Sequence, residues 1–245
     1  KDRRAVYGDR LALLAQLRIE YEGGRVETVG TDDTWTSATG PILASDIYNG
    51  ETYDARLERP GWTTPGYDAS GWTAVRVAQP ATRTLFAPPG PPVRAIEEIK
   101  PVKVLKTPKG ETVFDFGQNM VGHVRLKVRG EAGTTLTLRH FEVLDKEGNV
   151  YTANLRAAKQ QVKYTLKGGG EETYEPHFTF QGFRYVAVEG WPGQAATYKL
   201  GEREIGRLRH EAREQAGSAF TLAGFHEKVI GNGAMRLDLL REIVL

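Results

Sequence analysis

Short runs of alternating apolar and polar residues, separated by turn signals, recur along most of the chain. Every second residue is apolar from Val124 to Arg129 and again from Thr135 to His140. This alternation gives a strand one face for the core and one face for water. The strands predicted in the second half of the chain are 102–105, 112–116, 123–128, 135–139, 161–166 and 184–189. Short strands with frequent turns predict a β-sandwich or jelly roll.

The first apolar run, residues 11–21, has two interpretations. Its length suits a helix, but Arg18, Glu20 and the Gly23–Gly24 pair favour a strand that turns into a second strand at 26–29. We therefore predict a β-hairpin here. A polar loop at 45–57 follows, and then two short turns that contain Trp62 and Trp72.

A proline-rich segment divides the chain. Residues 87–92 read Ala-Pro-Pro-Gly-Pro-Pro, which neither donates a ladder of backbone hydrogen bonds nor continues a helix. The sequence therefore predicts a mainly β fold with two β-sandwich, jelly-roll-like domains, at 1–86 and 96–193, joined by a linker at 87–95.

The last fifty or so residues have a different pattern, and we predict a short helical C-terminal tail at 194–245. From Gly201 onward, apolar residues recur at helical spacing. One stripe contains Ile205, Leu208, Ala212 and Ala216, and another contains Leu237, Leu240 and Val244.

Composition excludes several classes of function. The chain has 245 residues, of which 40% are hydrophobic and 26% charged, so it is not of the disordered class. Its 33 basic and 31 acidic residues leave a charge of +2, too balanced for a nucleic-acid partner. No run approaches the about 20 apolar residues that cross a bilayer, so we predict no membrane partner.

The absence of cysteine excludes disulfides, thiolate metal sites and a cysteine nucleophile. It leaves the compartment open between cytoplasmic and secreted.

Because the first residue is Lys1 rather than Met, we expect the chain to begin inside a longer gene product, with early strands of the first domain missing. Either the tail or another chain would supply the missing strand, and a second copy of this chain in that role would make a homo-oligomer.

No histidine pair, nucleophile elbow or phosphate loop with catalytic spacing is present. His140 and His177 are interpreted as framework histidines. Paired carboxylates are the remaining route to catalysis, and the available acids include Asp46, Glu51, Asp54, Asp115 and Glu142. Solvated acids and salt bridges explain any one pair better, so no catalytic residue is assigned.

The loop at 45–57 combines acids, an amide and aromatic residues, which suits two kinds of ligand. Hard oxygen ligands are those that Ca²⁺ selects, and polar groups beside an aromatic ring suit a sugar. The alternative is that Tyr48 and Tyr53 are buried and that the acids cap turns. The candidate carbohydrate-binding residues are Asp46, Asn49, Glu51 and Trp62.

Several ordered motifs in this sequence closely resemble the bacterial α-L-rhamnosidases. Residues 44–56, 61–62 and 66–72 resemble the amino-terminal domain of that family, and residues 114–122, 140–144, 151–158 and 178–185 resemble the β-sandwich that follows it. The resemblance implies two modules that precede an (α/α)6 catalytic barrel, whose acidic motifs are not found here. Residues from Gln194 onward depart from the family pattern.

The resemblance implies a carbohydrate-binding or accessory fragment that contacts glycans containing L-rhamnose without hydrolysing them alone. In some family members the amino-terminal module binds rhamnose with calcium, and Asp9 and Asp46 are the candidate calcium ligands here. One alternative is part of an α-L-rhamnosidase that hydrolyses terminal α-L-rhamnosides by an inverting route. Another is a structural remnant that self-associates.

Overall fold

The computed structural model describes residues 10–78, 85–87, 89–191, 210–216 and 220–221. The fold is mainly β, as the alternation predicts. The described strands are, in chain order, β1 (Gln16–Glu20), β2 (Val26–Gly30), β3 (Thr36–Ser37), β4 (Ile42–Asp46), β5 (Gly50–Asp54), β6 (Thr73–Ala74), β7 (Lys103–Lys106), β8 (Thr112–Gly122), β9 (Leu126–Arg129), β10 (Thr135–Phe141), β11 (Val143–Leu144), β12 (Val150–Tyr151), β13 (Gln161–Thr165), β14 (Glu171–Tyr174) and β15 (Gln181–Glu189).

Seven of these strands form one sheet in the order β4-β5-β13-β10-β15-β8-β7. The pairings are antiparallel except between β5 and β13, which run parallel, with Thr52 opposite Lys163 and Asp54 opposite Thr165. Each of the six strands predicted beyond residue 100 has a counterpart in the structure. Strand β8 extends the predicted 112–116 to Gly122, and β15 begins three residues before the predicted 184.

Each face of this sheet carries an apolar core. On one face, Leu136, Leu138 and Tyr164 pack with Leu126 and Val128 of the small β9–β14 sheet. On the other face, the core residues are Val113, Phe141, Tyr185 and Ala187, with Leu144 and Val150 of the β11–β12 hairpin packed against them. Burial on both faces explains why β15 is apolar at nearly every position from Tyr185 to Val188.

The first apolar run forms a hairpin, not a helix. Strands β1 and β2 pair with Gln16 opposite Gly30, and Gly23 and Gly24 turn the chain with φ values of 89° and 83°. The turn needs this left-handed conformation at two successive positions, which glycine adopts without steric cost. The strand covers only the second half of the predicted run.

The predicted polar loop at 45–57 is wrong in its larger part, because Ile42–Asp46 and Gly50–Asp54 are strands of the large sheet. Residues Gly50, Glu51, Tyr53 and Asp54 are buried. Two buried carboxylates give β5 the composition of a surface loop, although each has hydrogen-bond partners that compensate for burial.

The β4–β5 hairpin lies in the predicted first domain, but it pairs with β13 of the predicted second domain. Elsewhere in the described parts of 10–78, no residue is buried except Ala55, which follows β5. The only other strand pairings of that region are the β1–β2 hairpin and the two-residue pairing of β3 with β6. The boundaries 1–86, 87–95, 96–193 and 194–245 themselves stay predictions.

The described part of the predicted tail contains a short helix at 210–216. Ala212, on one predicted apolar stripe, is buried in it. A helix of the length and apolar character needed to cross a bilayer is not found in the described ranges.

Candidate functional site

The two ends of the large sheet are built from different segments. At one end β4, β8 and β10 finish and β5, β13 and β15 begin, since Asp46 pairs with Gly50 and Gly122 with Gln181. We call it the loop end; it consists of residues 47–49, 119–122, 142–143, 151–160 and 177–180. The opposite end, the turn end, consists of residues 55–58, 107–111, 130–134, 166–170 and 190–191.

The loop end exposes far more large apolar side chains than the turn end. Those at the loop end are Ile47, Tyr48, Val121, Val143, Tyr151, Phe178 and Phe180, whereas Leu57 is the one in the turn-end segments. Exposed apolar groups that cluster in one region of a folded surface mark a place where something binds. The loop end is therefore the candidate functional surface.

A buried carboxylate forms the base of this surface. The Glu51 side chain is fully buried and accepts hydrogen bonds from Tyr174 Oη at 2.9 Å and from the backbone N–H groups of His177 and Phe178 at 3.1 and 3.3 Å. His177 Nδ1 lies 3.0 Å from Glu51 Oε1, and Ser45 Oγ donates to Oε2. One carboxylate thus ties the chain at 177–178 to strand β5.

These donors decide the charge of Glu51. Burial acts to raise the pKa of the carboxyl, but the hydrogen bonds from His177 and Tyr174 outweigh it and hold the pKa below its usual value. Glu51 is therefore ionised at neutral pH. An ionised, fully buried carboxylate is stable only because several donors surround it.

Aromatic rings pack around the same carboxylate. Tyr53 stacks on His177, with centroids 5.5 Å apart and an interplanar angle of 7°, and on Tyr164 at 5.7 Å. Tyr164 in turn stacks on Tyr174 at 4.5 Å. The Tyr53 hydroxyl donates to Glu58 at 3.1 Å, and the Tyr164 hydroxyl donates to Glu172 at 2.7 Å. The base of the site is rigid, since its three tyrosine rings contact one another and each hydroxyl donates to a carboxylate.

The turn between β4 and β5 sits directly on this base. Asp46 Oδ1 accepts from the backbone N–H groups of Tyr48 and Asn49, at 2.9 and 2.7 Å. The carbonyls of Tyr48 and Asn49 accept from the N–H groups of Gln160 and Gln161, both at 3.0 Å. With its backbone fixed on both sides, the turn presents the Tyr48 and Asn49 side chains to solvent.

Gly50 allows the first residue of β5 to lie close to the first residue of β13. Its φ is +97°, and a Cβ at this position would overlap the carbonyl of Gln161. Any larger residue would separate β5 from β13. Glycine is thus required at the first position of β5.

The predicted carbohydrate-binding residues divide into two places. Asp46 and Asn49 share the β4–β5 turn and Glu51 lies beneath it, but Asp46 acts as a turn cap and Glu51 has no exposed atoms to offer a ligand. Trp62 is exposed in a separate cluster, where it contacts Trp72 at 6.4 Å. Of the two aromatic residues of the predicted loop, Tyr53 is buried and Tyr48 is 69% exposed.

Asp46, the predicted metal ligand that the structure describes, does not belong to a group of possible metal ligands. Asp9 lies outside the described residues. Within the ranges that the structure describes, no three histidine or acidic side chains are placed to hold a metal ion. Asp46 Oδ1 already accepts hydrogen bonds from two backbone N–H groups.

The five candidate catalytic acids each have a partner of their own. Asp115 receives two hydrogen bonds from Arg184, at 2.9 and 3.0 Å, and Asp54 receives two from the Arg56 side chain. Glu142, at the loop end, accepts from the side-chain amides of Asn119 and Asn154, at 3.1 and 2.8 Å. The hydrogen bonds described above account in the same way for Asp46 and Glu51.

His177 is the residue of this surface that the sequence does not reveal. The sequence predicts a framework histidine at this position, and the contact of His177 with Glu51 joins residues 126 positions apart. Its side chain is nevertheless 47% exposed. No spacing in the sequence signals this pair, because it depends on the parallel pairing of β5 with β13.

Comparison with protein families gives three matches. The α-L-rhamnosidase N-terminal domain matches residues 1–97, and the bacterial α-L-rhamnosidase concanavalin-like domain matches residues 105–205. A model described as a bacterial protein of unknown function (DUF885) matches residues 172–244. The bounds of these matches differ from those of the two predicted sandwich domains, 1–86 and 96–193, which stay predictions.

Individual relatives agree with these families. The chain is 51% identical over 205 residues to an α-L-rhamnosidase of Streptomyces avermitilis, and 40% identical over 185 residues to one of Formosa agariphila. These alignments cover 83% and 73% of this chain but 20% and 19% of the relatives. The chain thus spans about a fifth of the length of the curated relatives it matches.

Solved structures of α-L-rhamnosidases are similar to this chain. The Streptomyces avermitilis α-L-rhamnosidase, crystallised in complex with L-rhamnose, is similar with a TM-score of 0.72 at 53% identity. The native enzyme of Aspergillus terreus is similar with the same TM-score at 44% identity. Each comparison covers 77% of this chain, and 18% and 22% of the other chain.

Proposed function

Because this chain belongs to the bacterial α-L-rhamnosidase family through its N-terminal and concanavalin-like domains, we propose that it binds glycans containing L-rhamnose. The binding surface is the loop end of the large sheet, around Tyr48, Asn49 and Phe178. The role is recognition, without hydrolysis by these two domains alone.

One observation carries this proposal: two exposed aromatic rings flank polar groups on a rigid base. Tyr48 and Phe178 are each 69% exposed, and we call this pair the aromatic ledge. The two segments that carry them are joined by the hydrogen bond from Thr179 Oγ1 to the Ile47 carbonyl at 3.4 Å and by the contacts of Glu51. The backbone that carries the ledge is therefore fixed before any ligand arrives.

The chemistry of a 6-deoxy sugar fits such a surface. L-Rhamnose carries a methyl group and ring C–H groups, which pack on aromatic faces, and hydroxyls, which need donors and acceptors. The exposed Asn49 amide supplies both. A rigid site also loses little conformational entropy on binding, which favours affinity.

The described chain places no group of three acidic or histidine side chains around Asp46, and Asp46 Oδ1 accepts two backbone hydrogen bonds. A calcium site there would need backbone carbonyl and amide oxygens as further ligands. The proposed binding uses direct protein–sugar contacts, and calcium is varied in the experiment to test the predicted calcium dependence.

The test is calorimetric titration of L-rhamnose into the 245-residue chain, in calcium and then in chelator. We expect saturable heat in both buffers. Tyr48→Ala should weaken binding about tenfold, because it removes one aromatic contact. Tyr21→Ala, which removes a partly exposed tyrosine outside the loop end, is the matched control and should bind as the parent chain does.

Three outcomes would contradict the proposal in different ways. Absence of heat from the parent chain would remove rhamnose as the ligand. Loss of binding with Trp62→Ala but not with Tyr48→Ala would move the site to the Trp62–Trp72 cluster. Release of a chromophore from an aryl α-L-rhamnoside would favour the alternative, an inverting hydrolase.

A further inference from the structure

We infer that His177 supplies the acceptor for a ligand hydroxyl beside the aromatic ledge, and that Glu51 positions it. This inference rests on the proposed function and names a further specificity residue of the same surface. It also makes the site a joint property of both predicted domains, since Glu51, Tyr48 and Asn49 come from one and His177 and Phe178 from the other.

The first argument is the way the His177 ring is held. Its Nδ1 lies 3.0 Å from Glu51 Oε1, and its own backbone N–H donates to both oxygens of the same carboxylate, at 3.2 and 3.1 Å. The Glu51 side chain is fully buried, whereas the His177 side chain is 47% exposed. One edge of the ring is thus fixed inside the protein while part of the ring faces solvent.

The second argument is the tautomer that this contact requires. An ionised carboxylate only accepts hydrogen bonds, so the nitrogen that faces it must carry the proton. In the neutral imidazole, a protonated Nδ1 leaves Nε2 as an acceptor. A carboxylate that orients a histidine in this way is a recurrent device in binding and catalytic sites.

The third argument is the fixed plane of the ring. Tyr53 lies parallel to His177 at a centroid distance of 5.5 Å, and the Phe178 ring lies 6.2 Å away at an angle of 42°. Because Tyr53 is itself fixed by its hydrogen bond to Glu58, the imidazole has little freedom to rotate. The acceptor is therefore preorganised next to Phe178 of the ledge.

A sugar hydroxyl is the ligand group that satisfies this arrangement. The O–H donates to His177 Nε2 while the apolar side of the ring packs on the neighbouring aromatic face. The contact is a hydrogen bond only; no covalent or proton-transfer step is involved. A neutral polyol is favoured over a carboxylate or phosphate, since Glu51 places a negative charge directly behind the imidazole.

The decisive variant is His177→Asn. The asparagine amide nitrogen occupies about the place of Nδ1 and still donates to Glu51, but the side chain has no counterpart of Nε2. We expect L-rhamnose to bind fivefold to tenfold more weakly, roughly the value of one hydrogen bond, with an unchanged urea midpoint. His177→Gln, whose longer amide offers an acceptor near the Nε2 position, should recover part of the affinity.

The chain offers a matched control in a second histidine–glutamate pair. His123 Nε2 lies 3.1 Å from Glu175 Oε2, and its side chain is partly exposed. His123→Asn should leave rhamnose binding unchanged. Equal weakening by His123→Asn and His177→Asn, or none by His177→Asn, would overturn the inference.

A second measurement separates this inference from the proposed function. Two-dimensional ¹⁵N–¹H spectra of the imidazoles report which ring nitrogen carries the proton, and His177 should show a protonated Nδ1 in the parent chain and lose this preference in Glu51→Gln. A protonated Nε2 in the neutral ring would overturn the inference even if rhamnose binds. If the parent chain shows the expected tautomer but no heat of rhamnose binding, rhamnose is not the ligand. The inference that Glu51 orients His177 as a hydrogen-bond acceptor would still hold.

Discussion

The two ends of the large sheet differ in which residues adopt positive φ and in how many large apolar side chains they expose. The turn end is closed by glycines with positive φ, including Gly110, Gly133, Gly168 and Gly190. At the loop end, the described non-glycine residues with positive φ are Arg156, at 58°, and Gln160, at 47°. Exposed aromatic rings are also concentrated at the loop end.

This difference shows which end is built for folding and which carries features that folding alone does not require. Glycine removes the steric cost of a tight turn. A side chain held in the left-handed region, or a large ring left in water, has a cost that a purely structural end would avoid. The contrast therefore supports the assignment of function to the loop end independently of any relative.

The largest expected effect tests the turn end. A Cβ at Gly190 would overlap the carbonyl of Thr135, whereas a Cβ at Gly169 meets no atom within 4 Å, although both glycines have positive φ. Gly190→Ala should lower the free energy of unfolding by more than about 3 kcal/mol, and Gly169→Ala by about 1 kcal/mol. Urea unfolding measures both. Equal losses would mean that φ alone, and not the close approach to β10, governs this end.

A buried glutamate at each end gives the second comparison. Glu172 accepts from Tyr164 Oη and from the N–H groups of Lys167 and Gly168, as Glu51 does from its own donors. Glu51→Gln and Glu172→Gln should each lower the free energy of unfolding by about 2 kcal/mol, because a buried donor loses its acceptor. Only Glu51→Gln should weaken rhamnose binding. Weakening by Glu172→Gln as well would remove the distinction between the ends.

The pH dependence of Glu51→Gln has a definite sign. The pKa of Glu51 is lower in the folded than in the unfolded chain, so its contribution is fully present above the unfolded value of about 4.3. It is lost as the pH falls through the folded pKa, where the protonated carboxyl resembles an amide. The stability difference between the parent chain and the variant should thus be largest near neutral pH and shrink below about pH 4. A difference that grows on acidification would contradict this assignment.

Turn caps provide a smaller effect. Asp46 caps the β4–β5 turn, and Asp145 caps the β11–β12 turn by accepting from the Asn149 N–H at 2.7 Å. Asp46→Ala and Asp145→Ala should each cost about 1 kcal/mol. Since the Asp46 cap sets the position of Tyr48, its loss should also weaken rhamnose binding. Binding that is lost with no change in stability would instead indicate that Asp46 contacts the ligand directly.

The smallest stability effect belongs to the ledge itself. Tyr48→Ala and Phe178→Ala should change the free energy of unfolding by less than about 0.5 kcal/mol, because both rings are mostly in water. Leu57→Ala, at the exposed apolar residue of the turn end, should be equally neutral in stability and should leave binding intact. A large loss of stability in either ledge variant would mean that these rings support the fold.

The sequence predicts much of the fold and little of the site. Alternation in β9 and β10, and the Gly23–Gly24 pair, are local signals, and local signals decide where strands and turns form. The sequence does not reveal strand β5, because the buried Glu51 has its partners far away in the chain, at Tyr174, His177 and Phe178. Asp54 is buried beside the nearby Arg56. The Tyr48–Asn49 turn is recognisable by its composition, but the contribution of His177 requires the sheet order.

The parallel pairing of β5 with β13 has a consequence for the order of events during synthesis. Tyr174, a donor to Glu51, lies 123 residues further along the chain. At about 5–20 residues per second, a ribosome needs on the order of ten seconds to deliver it. Until then neither β13 nor the distant donors to Glu51 are available to the β4–β5 segment. The step that completes the loop end is therefore a late one in synthesis.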